Sequence, residues 1–211
     1  MGVAREQRSP SVHPRSSSAC SRTAVRAREA SGGEIHIRPA SHRRQPPPVL
    51  YGTRMVEPDG QGRESVWEDP RPPRVEPSTK HVQVVLGGRL LAHTTAALRV
   101  LETSHPPVYY VPVADIDMAC LRQTRKTSWC EFKGTAVYWD ADTAPTVGWS
   151  YPEPSPGFED LRGHVAFYPG RVDEATVDSE RVEPQEGGFY GGWITSTIVG
   201  PFKGGAGTHG W

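Results

Sequence analysis

The side chains of this sequence that can do chemistry sit inside aromatic phrases. Leu101-Glu-Thr-Ser-His-Pro-Pro-Val-Tyr-Tyr110 contains Glu102 and His105, and Cys130-Glu-Phe-Lys133 contains a thiol, an acid and a base. Tyr168-Pro-Gly-Arg171 and Gly200-Pro-Phe-Lys-Gly204 add a guanidinium and an ammonium. His105, held against two prolines, is a rigidly mounted base or hydrogen-bond donor. Its bland alternative is a histidine that caps a helix end or bonds a backbone carbonyl. Cys130 acts as a nucleophile if His105 is its base, although free cysteines are more often small buried fillers. Glu131 and Lys133 alternate with Phe132, so on a strand they share one face, either as an ion pair or around a ligand. His105, Cys130 and Glu131 are therefore the catalytic candidates.

The same phrases supply walls for a pocket. Tyr109, Trp139, Tyr168, Tyr190 and Trp193 are the candidate walls, and His105, Glu131, Lys133, Arg171 and Lys203 the candidate specificity groups. They fall where strands meet Gly or Pro turns, the places from which a sheet end points side chains into a cleft. Such a pocket suits a small polar or anionic molecule. The glycines around Lys203 lack the Gly-x-x-x-x-Gly-Lys-Ser/Thr spacing of a nucleotide loop, but a glycine nest can seat an anion with Arg171 and Lys203. The rival reading is an interaction module whose aromatics form an exposed patch for a protein partner. A third takes the polar groups as a network that holds a glycine-rich fold together.

Short strands must position these residues. The chain has 211 residues, 36% of them hydrophobic, with 22 Gly and 21 Pro, a composition that argues against a long helical bundle. Residues 65–80 carry four prolines and read as an extended strap, unsuited to a helix or a central strand. From His81 two β-prone runs flank Gly87-Gly88, a hairpin signal. Thr95 to Glu102 reads as two helical turns that end before Pro106, and Asp115 to Leu121 as a short helix or turn. Strands are predicted at Val108–Val111, Trp129–Lys133, Ala136–Trp139, Val147–Tyr151, His164–Tyr168, Thr176–Asp178 and Arg181–Glu183. The glycine-rich end, with Phe189, Tyr190, Trp193, Phe202 and Trp211 interleaved, should wrap the sheet and wall the pocket. The expectation is one compact, mainly β domain of short antiparallel strands over residues 81–211, with one or two short helices.

Charge is distributed unevenly. Lys plus Arg and Asp plus Glu balance at 24 each, yet residues 1–54 hold ten Arg and three acids, so the remainder carries net −7. Residues 1–64 are poor in the aromatics that repay chain ordering and read as a disordered Arg/Ser/Pro-rich leader. The favoured expectation is that translation starts at Met55; a phosphate-binding arm and a transit peptide are weaker alternatives. A net acidic domain makes nucleic acid an improbable partner for the folded part. The sequence has no apolar run of transmembrane length and no secretory signal, so a cytoplasmic location without a membrane partner is expected.

Six phrases, in order, resemble a family of unknown function, the domain of unknown function 427. They are Leu101–Tyr110, Cys130–Trp139, Trp149–Pro152, Ala166–Gly170, Gly187–Trp193 and Gly200–Gly204, and the likeness spans about residues 66–211. The resemblance implies a β-tent-like fold, similar in topology to methionine sulfoxide reductase B and related zinc proteins, and speaks only weakly to function. This sequence departs from the zinc relatives, because Cys120 and Cys130 are not a Cys-x-x-Cys pair. No metal or cofactor is expected. A nucleotidyltransferase-like label also attaches to the family. That chemistry needs paired metal-binding carboxylates, for which Asp115-Ile-Asp117 and Asp140-Ala-Asp142 are the candidates, and neither has the accompanying Gly-Ser loop.

Overall fold

The computed structural model describes residues 62–211. Apart from Gly62, Arg63 and Glu64, the leader expected over residues 1–64 lies outside the described residues. In chain order the strands are β1 (Glu64–Ser65), β2 (Arg74–Ser78), β3 (Val82–Leu86), β4 (Arg89–Thr94), β5 (Ala97–Glu102), β6 (His105–Pro112), β7 (Leu121–Cys130) and β8 (Gly134–Ala141). They continue with β9 (Ala144–Ser150), β10 (His164–Phe167), β11 (Glu174–Val177), β12 (Glu180–Arg181), β13 (Glu183–Pro184), β14 (Trp193–Ile194) and β15 (Ile198–Val199). The fold is mainly β, as expected. Its helical content is single 3-10 turns; one of them, Met118–Cys120, falls within Asp115 to Leu121, where a short helix or turn was expected, and another, Val113–Asp115, ends where that segment begins. No helix among the described residues is long and apolar enough to cross a membrane.

A seven-stranded sheet runs in the order β2-β5-β6-β10-β9-β8-β7, and a four-stranded sheet runs β12-β11-β3-β4. The β3–β4 hairpin turns at Gly87 and Gly88, both at positive φ (61° and 69°), the geometry that a two-residue turn needs and that glycine adopts without a steric penalty. The sheets enclose one core. It includes Val82 and Val84 of β3, Leu91 and Ala92 of β4, Tyr109 and Val111 of β6, Val165 and Phe167 of β10, and Trp193. Trp193 is fully buried, and its Nε1 donates to the Phe167 carbonyl at 3.1 Å.

Residues Ala97–Glu102, expected to be helical, form strand β5, paired with β2 on one side and β6 on the other. A strand covered on both faces is apolar almost throughout, and Ala97, Val100 and Leu101 are all buried. Such a run cannot be told from a buried helix by periodicity. Hydrogen bonding to two neighbours overrides the local preference of Ala-Leu-Arg. The predicted strand Trp129–Lys133 is also corrected: β7 ends at Cys130, and Glu131 to Lys133 form the turn into β8.

Arg99 of β5 ties the beginning of the described chain to the sheet. Its guanidinium donates to Glu64 at 2.9 Å and to Glu76 at 2.9 Å. The C-terminal part is fastened in the same way. β15 runs parallel to β1, β14 pairs with β13, and Lys203 donates its backbone N–H to the Ser104 carbonyl at 2.8 Å.

Candidate functional site

Register decides which side chains face outward from the large sheet. Tyr110, Ala166, Trp149 and Tyr138 stand directly opposite one another across β6, β10, β9 and β8. Opposed residues share a face, so this row lies on the side away from the four-stranded sheet. Tyr151 and Tyr168 join it, and the five aromatics line a cavity of about 430 Å³. Trp149 packs on Tyr168 with centroids 4.5 Å apart, and its Nε1 donates to the Tyr110 hydroxyl at 3.1 Å. Ser128 and Tyr138 share a hydroxyl hydrogen bond of 2.8 Å, and the Cys130 thiol lies beside Tyr151. Burial pushes the phenols of Tyr110, Tyr151 and Tyr168 well above the usual tyrosine range, so they are neutral hydroxyls.

The rim is charged. It is assembled from the β5–β6 turn, the β7–β8 turn, the strap before β2 and the C-terminal segment, which bring Glu102, Glu131, Lys133, Arg71, His105 and Lys203 together. Glu102 lies 3.6 Å from Arg71 and 3.7 Å from Lys133, while Glu131 reaches Arg71 at 3.5 Å. Glu131 and Lys133 therefore do not share a strand face, because the turn sends each to a different partner. His105 packs edge-on against Tyr190, and its Nδ1 is 3.0 Å from the Thr103 carbonyl, the bond of its bland alternative. Burial lowers its pKa, aided by Lys203 and Arg71 and opposed by the Thr103 bond and Glu102, so the neutral imidazole is favoured. No hydrogen bond among the described residues joins His105 to Cys130. The Lys203 ammonium donates to the Trp211 carbonyl.

Of the residues singled out from the sequence, His105, Cys130, Glu131, Lys133, Tyr168, Tyr190 and Lys203 line this cavity. Tyr109, Trp139, Trp193 and Arg171 do not. Tyr109 and Trp193 belong to the core between the sheets, 5.3 Å apart by ring centroid, and Trp139 packs against the same core. Each of Tyr109 and Trp139 is one residue out of phase with a cavity residue, Tyr110 and Tyr138, and on a strand that single step reverses the face. Arg171 stacks on Tyr168 at 4.1 Å and donates to the carbonyls of Thr146 (3.0 Å) and Gly188 (2.6 Å), so its donors hold backbone. Neither acidic pair lines the cavity: Asp115 accepts from the Thr94 hydroxyl, and Asp140 from Arg122 and the Thr146 N–H.

Sequence reasoning missed Tyr110, Tyr138, Trp149, Tyr151 and Arg71. Strand phase is the signal for the first four. Once Tyr168 faces the cavity, Ala166 two residues before it shares that side of the sheet, and so do its register partners Tyr110 and Trp149. Gly191 carries a similar clue, since a Cβ there would overlap the Trp149 indole. Its glycine marks a close approach of backbone to the cavity wall.

A family model described as a domain of unknown function (DUF427), with a label that refers to nucleotidyl transfer, matches residues 74–178. No curated protein matches the chain. The matched segment carries strands β2 to β11 and with them the aromatic floor, whereas Arg71, Tyr190 and Lys203 on the rim lie outside it. Through the domain that builds this floor, the chain belongs to the DUF427 family.

Proposed function

We propose that the cavity binds a small polar or anionic molecule. One observation carries this reading: a half-open cavity of about 430 Å³, walled by five aromatic rings and ringed by convergent charges drawn from four separated segments of the chain. Small-molecule sites have this volume and this mixture of apolar wall and few polar groups. The cation-rich rim, with Arg71, Lys133 and Lys203 against Glu102 and Glu131, supports a polar ligand over a purely apolar one.

Native mass spectrometry of the full chain, followed by a thermal-shift screen of nucleotides, sugar phosphates, amino acids and organic acids, tests it. A co-purifying molecule, or a stabilisation that Lys133→Met abolishes, supports the reading. A bare protein that no compound stabilises refutes it. The interaction-module reading draws support from Trp129 and Phe189, which stand 72% and 68% exposed at the cavity mouth. It predicts that a partner protein protects both side chains from oxidative labelling while the cavity stays empty.

A further inference from the structure

We propose that the ligand of this cavity is a flat monocarboxylate, an aromatic or conjugated organic acid whose carboxylate meets Lys133 and Arg71 and whose ring lies on Trp149 and Tyr168. The inference rests on the reading of the cavity as a ligand site and names the class of ligand.

Lys133 points to an anion. The residue is only 8% exposed and lines the cavity, yet its ammonium has a single ion-pair partner, Glu102, at 3.7 Å, longer than a hydrogen bond. An ammonium carries three donors. Among the described residues this Nζ makes no hydrogen bond, and no fully buried side-chain N or O lacks a partner, so the Nζ opens onto the cavity with its donors available to a ligand acceptor. Arg71 stands at the same place. Its contacts with Glu102 and Glu131 both run through Nη2, which leaves its other donors for a carboxylate.

The carboxylates limit the valence. Lys203 already donates to Trp211, which leaves Arg71 and Lys133 beside Glu102 and Glu131, with His105 favoured as the neutral ring by its burial. A phosphate dianion beside two carboxylates carries more unbalanced charge than a monoanion, and unbalanced charge in a desolvated site is destabilising. The walls bear on the shape, because they are aromatic rings, and a planar conjugated body packs among such rings better than a branched aliphatic one. Tyr110 adds a polar contact: its hydroxyl oxygen accepts from Trp149, so its own proton is left to donate to the ligand.

The test is titration of the full chain with benzoate and indole-3-carboxylate, with the corresponding amides, and with phenyl phosphate, followed by calorimetry and tryptophan fluorescence. The acids should bind about 10-fold or more tightly than their amides, and Arg71→Gln and Lys133→Met should each weaken the acids about 10-fold or more. Arg162→Gln, which removes only a surface pair with Glu153 at 3.3 Å, should bind as the parent does. Should Lys133→Met fail to fold, Arg71→Gln decides, since that side chain is 42% exposed. Amides that bind as well as the acids, or phenyl phosphate binding tighter than both acids, overturn the monocarboxylate assignment and leave the ligand site standing. Failure of every probe to bind overturns the assignment, and a bare, unstabilised protein in the broader screen removes the site as well.

Discussion

Replacing Gly191 by Ala tests how tightly the C-terminal segment is fitted to the cavity wall. The backbone at Gly191 is outside the left-handed region, so alanine meets no φ penalty, and the whole effect comes from the Cβ that overlaps the Trp149 ring. Trp149 cannot swing away freely. It is stacked on Tyr168 at 4.5 Å and hydrogen-bonded to Tyr110 at 3.1 Å in a buried setting. Overpacking of this kind costs about 1–3 kcal/mol, and a displaced indole N–H left without its acceptor costs a further ~1–3 kcal/mol. Because relief of one partly replaces the other, the expected loss is about 2–4 kcal/mol. Gly188→Ala is the control. Its φ is +65° and nothing lies within 4 Å, so it should lose only the ~1 kcal/mol of a left-handed alanine. Urea denaturation followed by tryptophan fluorescence measures both. A Gly191→Ala protein within about 0.5 kcal/mol of the parent, a typical surface-substitution effect, would refute the close approach between this segment and Trp149.

Two further predictions concern a buried hydroxyl and a half-buried carboxyl. Tyr110→Phe leaves the Trp149 N–H without an acceptor and should cost about 1–3 kcal/mol, whereas Trp149→Phe added to it should lose less than the two single changes combined, read by a double-mutant cycle in urea. Burial raises the Asp69 carboxyl from 3.8 to about 6, opposed by Arg74 and aided by Glu64. The folded state therefore binds the proton more tightly than the unfolded chain. This group makes the protein more stable at low pH, and the advantage is lost as pH rises from 3.8 to about 6. Asp69→Asn should remove that slope in a denaturation series across the window, and an unchanged slope would assign it to other groups.

Local signals were readable along the chain. Gly87-Gly88 between two β-prone runs specifies a hairpin because both glycines take positive φ and the pairing involves immediate neighbours. The strands of the β6, β8, β9 and β10 regions are legible for the same reason, as apolar runs between Gly and Pro breakers. β5 was not. Its apolar run is compatible with a helix until β2 and β6, one before it and one after, are seen to pair with it. The cavity was legible as an inventory of aromatic and charged residues but not as an arrangement. Tyr109 and Tyr110 are equally good wall candidates in a sequence, and only the register of β6 against β10 decides between them.

What the sequence determined by itself is therefore the mainly β class, the kinds of side chain available for binding, and membership of the family through ordered local phrases. The tertiary structure alone decided which side of the sheet each aromatic serves and which acid meets which base. Strand phase alternates every residue, so a one-position shift in long-range pairing exchanges core and cavity. The contact of Arg71 with Glu131, 60 residues apart, likewise exists only because the strap and the β7–β8 turn converge at one rim. Such convergence is set by the packing of the whole sheet, and no local run of residues encodes it.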